Sequence, residues 1–207
     1  MTIKMMVLGP VETNCYFLIN DDTKETIIID PADQAMGIAG WLRSEGLKPV
    51  AILLTHGHFD HIMAVDGLRR EFGIKMYAYK EEADILADPE YNISTMMGSF
   101  VRMEADEWLT DNQEFIMAGI RIQVLATPGH TKGSVCFYLP EEEKLISGDT
   151  LFEASVGRTD FPTGSSSQLV NSVKERLFIL EDDVAVYPGH GGLTTIGYEK
   201  THNPFIY

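Results

Sequence analysis

The sequence predicts an α/β protein, with two strand-rich halves and flanking helices that suggest a four-layer αββα sandwich. Short β-branched or aromatic runs alternate with stretches of helical spacing along the chain. One apolar run, Val50–Leu54, is continuous rather than alternating, as expected of a strand buried on both faces. The second half then repeats the strand-and-turn logic of the first.

Taken in order, Ile3–Leu8, Tyr16–Ile19 and Thr26–Ile29 read as strands, with a turn at Asn20-Asp21-Asp22. Asp30-Pro31 ends the third run. Asp33 is placed to cap a helix through Glu45, where Met36, Ile38, Ala39, Trp41 and Leu42 have roughly helical spacing, and Gly46 stops it. After Val50–Leu54, Asp60–Arg70 reads as a short helix, Lys75–Tyr79 as a strand and Lys80–Ala87 as helical. Asp88–Val101 has no clear period and is expected to form a mobile loop. Strands follow at Gln113–Met117, Ile120–Ala126, Ser134–Leu139 and Lys144–Ile146. A helix at Ser167–Leu180, a strand at Val184–Tyr187 and a helix near Thr195–His202 complete the pattern. No linker rich in Pro, Gly or Ser interrupts it, so one domain is expected over residues 1–207, without a separate C-terminal helical domain.

Composition narrows the function classes. The 207 residues, 44% hydrophobic and 23% charged, suit a globular domain with a substantial core. No apolar run approaches the roughly 20 residues that span a bilayer. Met1–Pro10 lacks a charged segment followed by an apolar one, so no signal peptide is expected and the cytoplasm is the default location. The net charge of −15, with only 16 scattered Lys and Arg, argues against a nucleic-acid partner. Cys15 and Cys136 sit in apolar, strand-like stretches, as reduced core residues rather than ligands.

The chemistry is concentrated in Thr55-His56-Gly57-His58-Phe59-Asp60-His61, directly after the buried strand. Ligand sites in open α/β architectures gather at such strand ends. Residues i and i+2 of an extended segment point the same way, so His56 and His58 can converge on one ion. Asp60 and His61 then open a helix, turning towards a second position. Neutral imidazoles with a carboxylate suit zinc, iron or manganese. Three further strand ends each carry one candidate ligand after a glycine: Thr127-Pro128-Gly129-His130, Ser147-Gly148-Asp149 and Tyr187-Pro188-Gly189-His190. A lone histidine or aspartate in a turn is usually structural; three histidines and a carboxylate within six residues are not.

With these residues in view, the chain resembles the metallo-β-lactamase superfamily throughout, through its H-x-H-x-D-H…H…D…H pattern. The resemblance implies two mixed sheets flanked by helices, one ion on His56, His58 and His130, and a second on Asp60, His61 and His190. Asp149 would bridge them. It implies two divalent ions, with zinc the first expectation and iron or manganese also accommodated. True β-lactamases usually depart from this pattern, so antibiotics are not the expected substrate. Within the superfamily the chain is most similar to small glyoxalase II-like hydrolases, which cleave thioesters such as S-lactoylglutathione. The matching segments include Gly148-Asp149-Thr150-Leu151-Phe152, Gly157-Arg158-Thr159-Asp160-Phe161-Pro162 and Asn203-Pro204-Phe205. They also resemble the persulfide dioxygenases, whose implied metal is a single iron on the positions of His56, His130 and Asp149.

The resemblance therefore implies a hydrolase acting on a small thioester with a metal-bound hydroxide, since divalent ions bring the pKa of a bound water towards 7. Asp60 would hold that nucleophile and shuttle its proton. Arg158 matches a basic residue that contacts glutathione in full-length glyoxalase II, while a structural ion pair with Asp160 or another acid is an equally good reading of it. The aromatic residue that follows in that family is replaced here by Thr159 and Asp160. Met96-Met97 can line an apolar entrance, though core filling explains the methionines at least as well, and Lys132 and Lys200 can add charge near the mouth, though isolated surface lysines are usually just solvated.

Overall fold

Two six-stranded mixed sheets lie face to face in the computed structural model, which describes residues 1–206. The first sheet contains β1 (Thr2–Leu8), β2 (Thr13–Ile19), β3 (Glu25–Ile29), β4 (Lys48–Leu53), β5 (Lys75–Tyr79) and β6 (Glu107–Leu109), in that spatial order. β1 to β3 are antiparallel, whereas β3 to β6 are parallel. The second sheet contains β7 (Glu114–Met117), β8 (Ile120–Ala126), β9 (Val135–Leu139), β10 (Lys144–Gly148), β13 (Ala185–Pro188) and β14 (Thr194–Thr195). A separate hairpin, β11 (Leu151–Phe152) with β12 (Ser155–Val156), stands beside it.

Three apolar layers make this a four-layer αββα sandwich. β2 is buried on both faces, and its side chains alternate between two of the layers. Cys15, Phe17 and Ile19 pack with Ile38 and Leu42 of α1 (Ala35–Ser44) and Leu68 of α3 (Val65–Phe72). Tyr16 and Leu18 face the second sheet, packing with Ile122, Val124, Phe137 and Ile146. The outer face of that sheet packs against Val173 and Leu177, just beyond α5 (Ser166–Ser172), and Ile196 of α6 (Ile196–His202). Each fully buried Leu, Ile or Phe contributes about 1.5–3 kcal/mol, so the central layer fixes the facing of the two sheets.

Several elements differ from the sequence reading, each for a local reason. The helix expected over Asp60–Arg70 is split into α2 (Phe59–Ile62) and α3. The amide of Ala64 donates to the carbonyl of Pro31 at 3.0 Å instead of continuing the first helix. Asp33 does not cap α1; its carboxylate accepts from the adjacent Gln34 amide at 2.6 Å, and Gln34 occupies the cap position in a left-handed conformation. The Lys80–Ala87 stretch is a 3₁₀ turn running into α4 (Ala83–Ala87). The aperiodic stretch 88–101 is built from turns rather than left open. The Asn92 carbonyl accepts from the Phe59 amide at 2.9 Å, Asn92 Nδ2 donates to Val101 O at 2.9 Å, and the Ser94 hydroxyl accepts from the Val101 amide at 3.1 Å. The helix expected over Ser167–Leu180 is α5 followed by a π-helical turn, Val173–Leu177. Among the described residues, no helix is long and apolar enough to cross a membrane.

Candidate metal centre

All seven predicted residues meet at one end of the sandwich, at the carboxyl ends of β4, β8, β10 and β13. His56 and His58 follow β4, Asp60 and His61 lie on α2, His130 follows β8, Asp149 follows β10 and His190 follows β13. Three sets of donor atoms are each mutually within 4.8 Å: His56, His58 and His130; His56, His61 and Asp149; and Asp60, His61 and His190. The carboxylate of Asp149 spans the cluster. Its Oδ1 lies 3.4 Å from His61 Nε2, while its Oδ2 lies 3.5 Å from both His130 Nε2 and His190 Nε2. Asp60 Oδ2 is 3.3 Å from His190 Nε2 and 3.6 Å from His61 Nε2.

The close approach depends on glycine where the sequence placed it. A Cβ at Gly189 would collide with Asp149 Oδ1 and come within 2.9 Å of His61 Cε1. Gly148 adopts φ +48, a left-handed conformation, and abuts the Thr55 side chain.

Neighbouring acceptors settle the tautomers of four histidines. His61 Nδ1 donates to Asp30 Oδ2 at 2.9 Å, His130 Nδ1 to the Arg158 carbonyl at 2.7 Å, and His190 Nδ1 to the Val11 carbonyl at 3.1 Å. Thr55 Oγ1 donates to Asp30 Oδ2 at 2.6 Å, so its oxygen accepts from His56 Nδ1 at 3.1 Å. In its neutral form each of these rings turns the Nε2 lone pair inward, as metal-ligating histidines do. His58 presents Nδ1 to the same region, 2.9 Å from His130 Nε2.

The cluster suits a cation. Among the described residues, the buried side-chain polar atoms with no hydrogen-bond partner are His56 Nε2, His58 Nε2, His61 Nε2, Asp149 Oδ1 and Glu82 Oε2. Three of them are inward-facing donor atoms of the cluster, and orphaned buried donors of this kind call for a partner. Burial holds His56, His58 and His130 below the usual imidazole range, His58 at about 3, and so favours neutral rings. Around His61 burial acts the same way, but Asp60, Asp149 and Asp30 outweigh it and raise the pKa. Burial of His190 is likewise outweighed by hydrogen bonds to Asp149 and Asp60, which bring it to about 9. Asp60 and Asp149 resist burial and stay ionised beside these rings. The acidic side of the cluster therefore attracts positive charge, and a metal ion can take the place of protons there.

Three residues organise the site: Asp30 and Tyr16, read from sequence only as a strand end and a strand residue, and Asn14, which the strand pattern does not single out. Asp30 accepts from His61, from Thr55 Oγ1 and from the Thr55 amide at 2.8 Å. Tyr16 Oη donates to Pro188 O at 2.6 Å, and Asn14 Nδ2 donates to Pro188 O at 2.9 Å and Gly191 O at 3.0 Å. A strand of the first sheet thus pins the loop carrying His190. An acidic residue closing an apolar strand was the one available signal for Asp30; the other two have none in the strand pattern.

The cluster opens into a cleft of about 540 Å³. Asp60, Asp149, His58, His130 and His190 form its floor, and Val11, Ile93, Met96, Met97, Phe152, Val156 and Phe161 form apolar walls. Arg158 is at the rim, paired with Asp160 through Nε (2.7 Å) and an Nη nitrogen (2.6 Å) and stacked 3.9 Å above the Phe161 ring. Lys132 is paired with Asp84, and Lys200 with Asp182 and the Leu180 carbonyl; neither lines the cleft. Both cysteines are fully buried outside the cluster, their thiols pushed up by desolvation.

The family model of the metallo-β-lactamase superfamily matches residues 8–190. The chain belongs to this superfamily, and its metal-binding cluster and αββα fold are those of a metallo-hydrolase. It is 38% identical over 205 residues to the Bacillus subtilis protein named "Probable metallo-hydrolase YqgX", covering 98% of this chain and 96% of that one. It is 34% identical over 209 residues to "Hydroxyacylglutathione hydrolase GloC" of Haemophilus influenzae, covering 100% and 98%. Among solved structures, BLEG-1 B3 metallo-β-lactamase superposes with a TM-score of 0.94 at 43% identity, covering 99% of both chains. TTHA1623 in a di-iron-bound form gives 0.87 at 34% identity, covering 98% and 99%.

Proposed function

We propose that this protein hydrolyses a small thioester of the S-lactoylglutathione type, using two divalent metal ions. His56, His58 and His130 would hold one ion, Asp60, His61 and His190 the other, and Asp149 would bridge them. The observation that carries the reading is the Asp149 carboxylate, whose two oxygens face different histidines. Similarity to a hydroxyacylglutathione hydrolase over the whole chain supports the substrate class. When bound, such ions supply a nucleophile at neutral pH and polarise the acyl carbonyl.

The protein's own groups do the remaining work. Asp60 Oδ2 accepts from the Thr13 hydroxyl at 3.1 Å and lines the cleft floor, where it can accept a proton from the attacking water. The apolar walls exclude bulk water and strengthen electrostatic interactions at the floor. The leaving thiolate needs little protonation.

The test is to purify the protein without chelator, measure metal per chain and follow thiol release from S-lactoylglutathione. Two metals per chain and turnover that is lost on chelation and regained on adding metal support the reading. One iron per chain with oxygen uptake on a persulfide would replace it by the dioxygenase reading. A second hydrolytic reading has an observation of its own, the 43% identity to a B3 metallo-β-lactamase, which counters the expectation that antibiotics are not substrates. A β-lactam assayed beside the thioester separates the two.

A further inference from the structure

One wall of the cleft is a hairpin with little internal support, and the last helix supplies what it lacks. Phe152, Ser155 and Val156 of the β11–β12 hairpin line the cleft. The hairpin follows Asp149 and leads to Arg158, whose carbonyl accepts from His130 Nδ1 at 2.7 Å. The Phe152 ring stands perpendicular to that of His190, with centroids 6.1 Å apart. A Cβ at Gly157 would collide with the Asp149 carbonyl, so the return strand lies against the backbone of that residue. Between these points the two strands share only the pairs Leu151–Val156 and Phe152–Ser155. So short a ribbon is marginal by itself. The two-residue turns that match strand twist have positive φ at the first tip residue or at both. Here Ala154, the second, has φ +50° and Glu153 does not share it. A left-handed residue with a side chain persists only where its surroundings impose it.

Those surroundings are the buried polar groups of α6. The Ala154 amide donates to both carboxylate oxygens of Glu199 at 3.1 Å. Asn203 Nδ2 donates to Glu199 Oε2 at 2.8 Å and to the Ser155 carbonyl at 2.9 Å, tying the return strand to the same carboxylate. The Thr194 hydroxyl donates to Glu199 Oε1 at 2.6 Å and so orients it. Glu199 and Asn203 are both fully buried, and hydrogen bonds to a carboxylate are among the stronger ones. At the base of the hairpin, the Ser147 hydroxyl donates to the Leu151 carbonyl at 2.8 Å. The Asn203-Pro204-Phe205 segment singled out in the sequence thereby acquires a role that the metal cluster does not give it.

We propose that Glu199, acting with Asn203, is a positioning residue: it fixes the β11–β12 hairpin and with it the wall against which the substrate rests. The effect on turnover rests on the thioester reading above; the effect on the hairpin does not.

The experiment compares the wild type with Glu199→Ala and with Glu199→Gln, which keeps an acceptor for Ala154 and Asn203 if the Thr194 hydroxyl accepts from the new amide. Backbone hydrogen exchange of the metal-loaded proteins reads the hairpin directly. In the wild type the Ala154 amide should be protected as a core amide is. In Glu199→Ala exchange over residues 151–156 should quicken at least about tenfold, with β10 unchanged. The KM for S-lactoylglutathione should rise about tenfold, equivalent to ~1.4 kcal/mol, with kcat and metal content close to those of the wild type. Glu199→Gln should restore most of both. If the wild type cleaves no thioester, the hydrolase reading fails while hydrogen exchange still decides whether Glu199 holds the hairpin. If Glu199→Ala does not fold, the wild-type Ala154 amide decides it. A freely exchanging Ala154 amide in the wild type would overturn the proposal. So would unchanged hairpin exchange in Glu199→Ala, or a loss of kcat and metal at unchanged KM.

Discussion

His61 donates from Nδ1 to the buried carboxylate of Asp30 at 2.9 Å, and this one bond orients the ring on which the acidic half of the cluster depends. Asp30 is 1% exposed, and it also accepts from the Thr55 hydroxyl and amide. It couples the end of β3 to the start of the ligand loop after β4.

Asp30→Asn removes the charge and offers an amide where His61 and Thr55 need acceptors. Outer-shell substitutions of this kind typically cost 10- to 100-fold in metal affinity or activity. A loss of about that size is expected, with circular dichroism and cluster geometry largely preserved. Metal titration of the variant checks it; wild-type affinity would show that His61 is oriented by something else.

Glu82 lies in the 3₁₀ turn before α4 and is 1% exposed. It accepts from the Thr131 hydroxyl and the Gly57 amide, and so joins the loops carrying His58 and His130. Burial raises its pKa from 4.5 to about 8, outweighing those hydrogen bonds and the more distant Lys132. A raised folded-state pKa means that the stability associated with the neutral acid is fully present below about pH 4.5. It is lost progressively as the pH climbs towards 8. At 1.36 kcal/mol per pKa unit the loss is on the order of a few kcal/mol. Glu82→Gln keeps the shape without the titration. Relative to wild type, its melting temperature should therefore rise between pH 4.5 and pH 8.5, by about 5–10 °C. Thermal melts of both proteins across that range test it, because the shared metal site cancels in the difference. Parallel curves would place Glu82 in the ionised state throughout.

Gly189 is required by contact, not by backbone torsion. An alanine methyl would have to displace Asp149 Oδ1 or His61. A misplacement near 1 Å can cost about 100-fold in rate, and Gly189→Ala is expected to lose at least that much together with metal. Metal content and thioester turnover measured on the same sample check this. Wild-type values would mean that the loop after β13 yields freely.

The sequence was most legible where the local pattern itself does the work. The run Val50–Leu54 and the histidine cluster after it show through composition, and the glycines at Gly148 and Gly189 show where backbone meets ligand. The two-layer burial of β2 was harder to read, because a strand covered on both faces carries no alternation. β6 and the β11–β12 hairpin are too short to generate a period. The break between α2 and α3 depends on Pro31, distant in sequence, and the 88–101 stretch on side-chain bonds from Asn92 and Ser94. Asp30, Asn14 and Tyr16 act through partners 25 to 177 residues away, a kind of information that residue spacing does not contain. Arg158 was legible as a candidate, and the ion pair with Asp160 is one of the two readings its sequence setting offered.

The central claim is that Asp149 is shared by two metal ions. A carboxylate offers two oxygens, and here they face His61 on one side and His130 and His190 on the other. Removing it deletes the anion that offsets repulsion between neighbouring cations. The most direct measurement is metal per chain in Asp149→Ala, purified without chelator alongside the wild type and assayed for thioester turnover. The account predicts two ions per wild-type chain, one or fewer in the variant, and a strong loss of activity. Two ions and near-normal turnover in Asp149→Ala would contradict it.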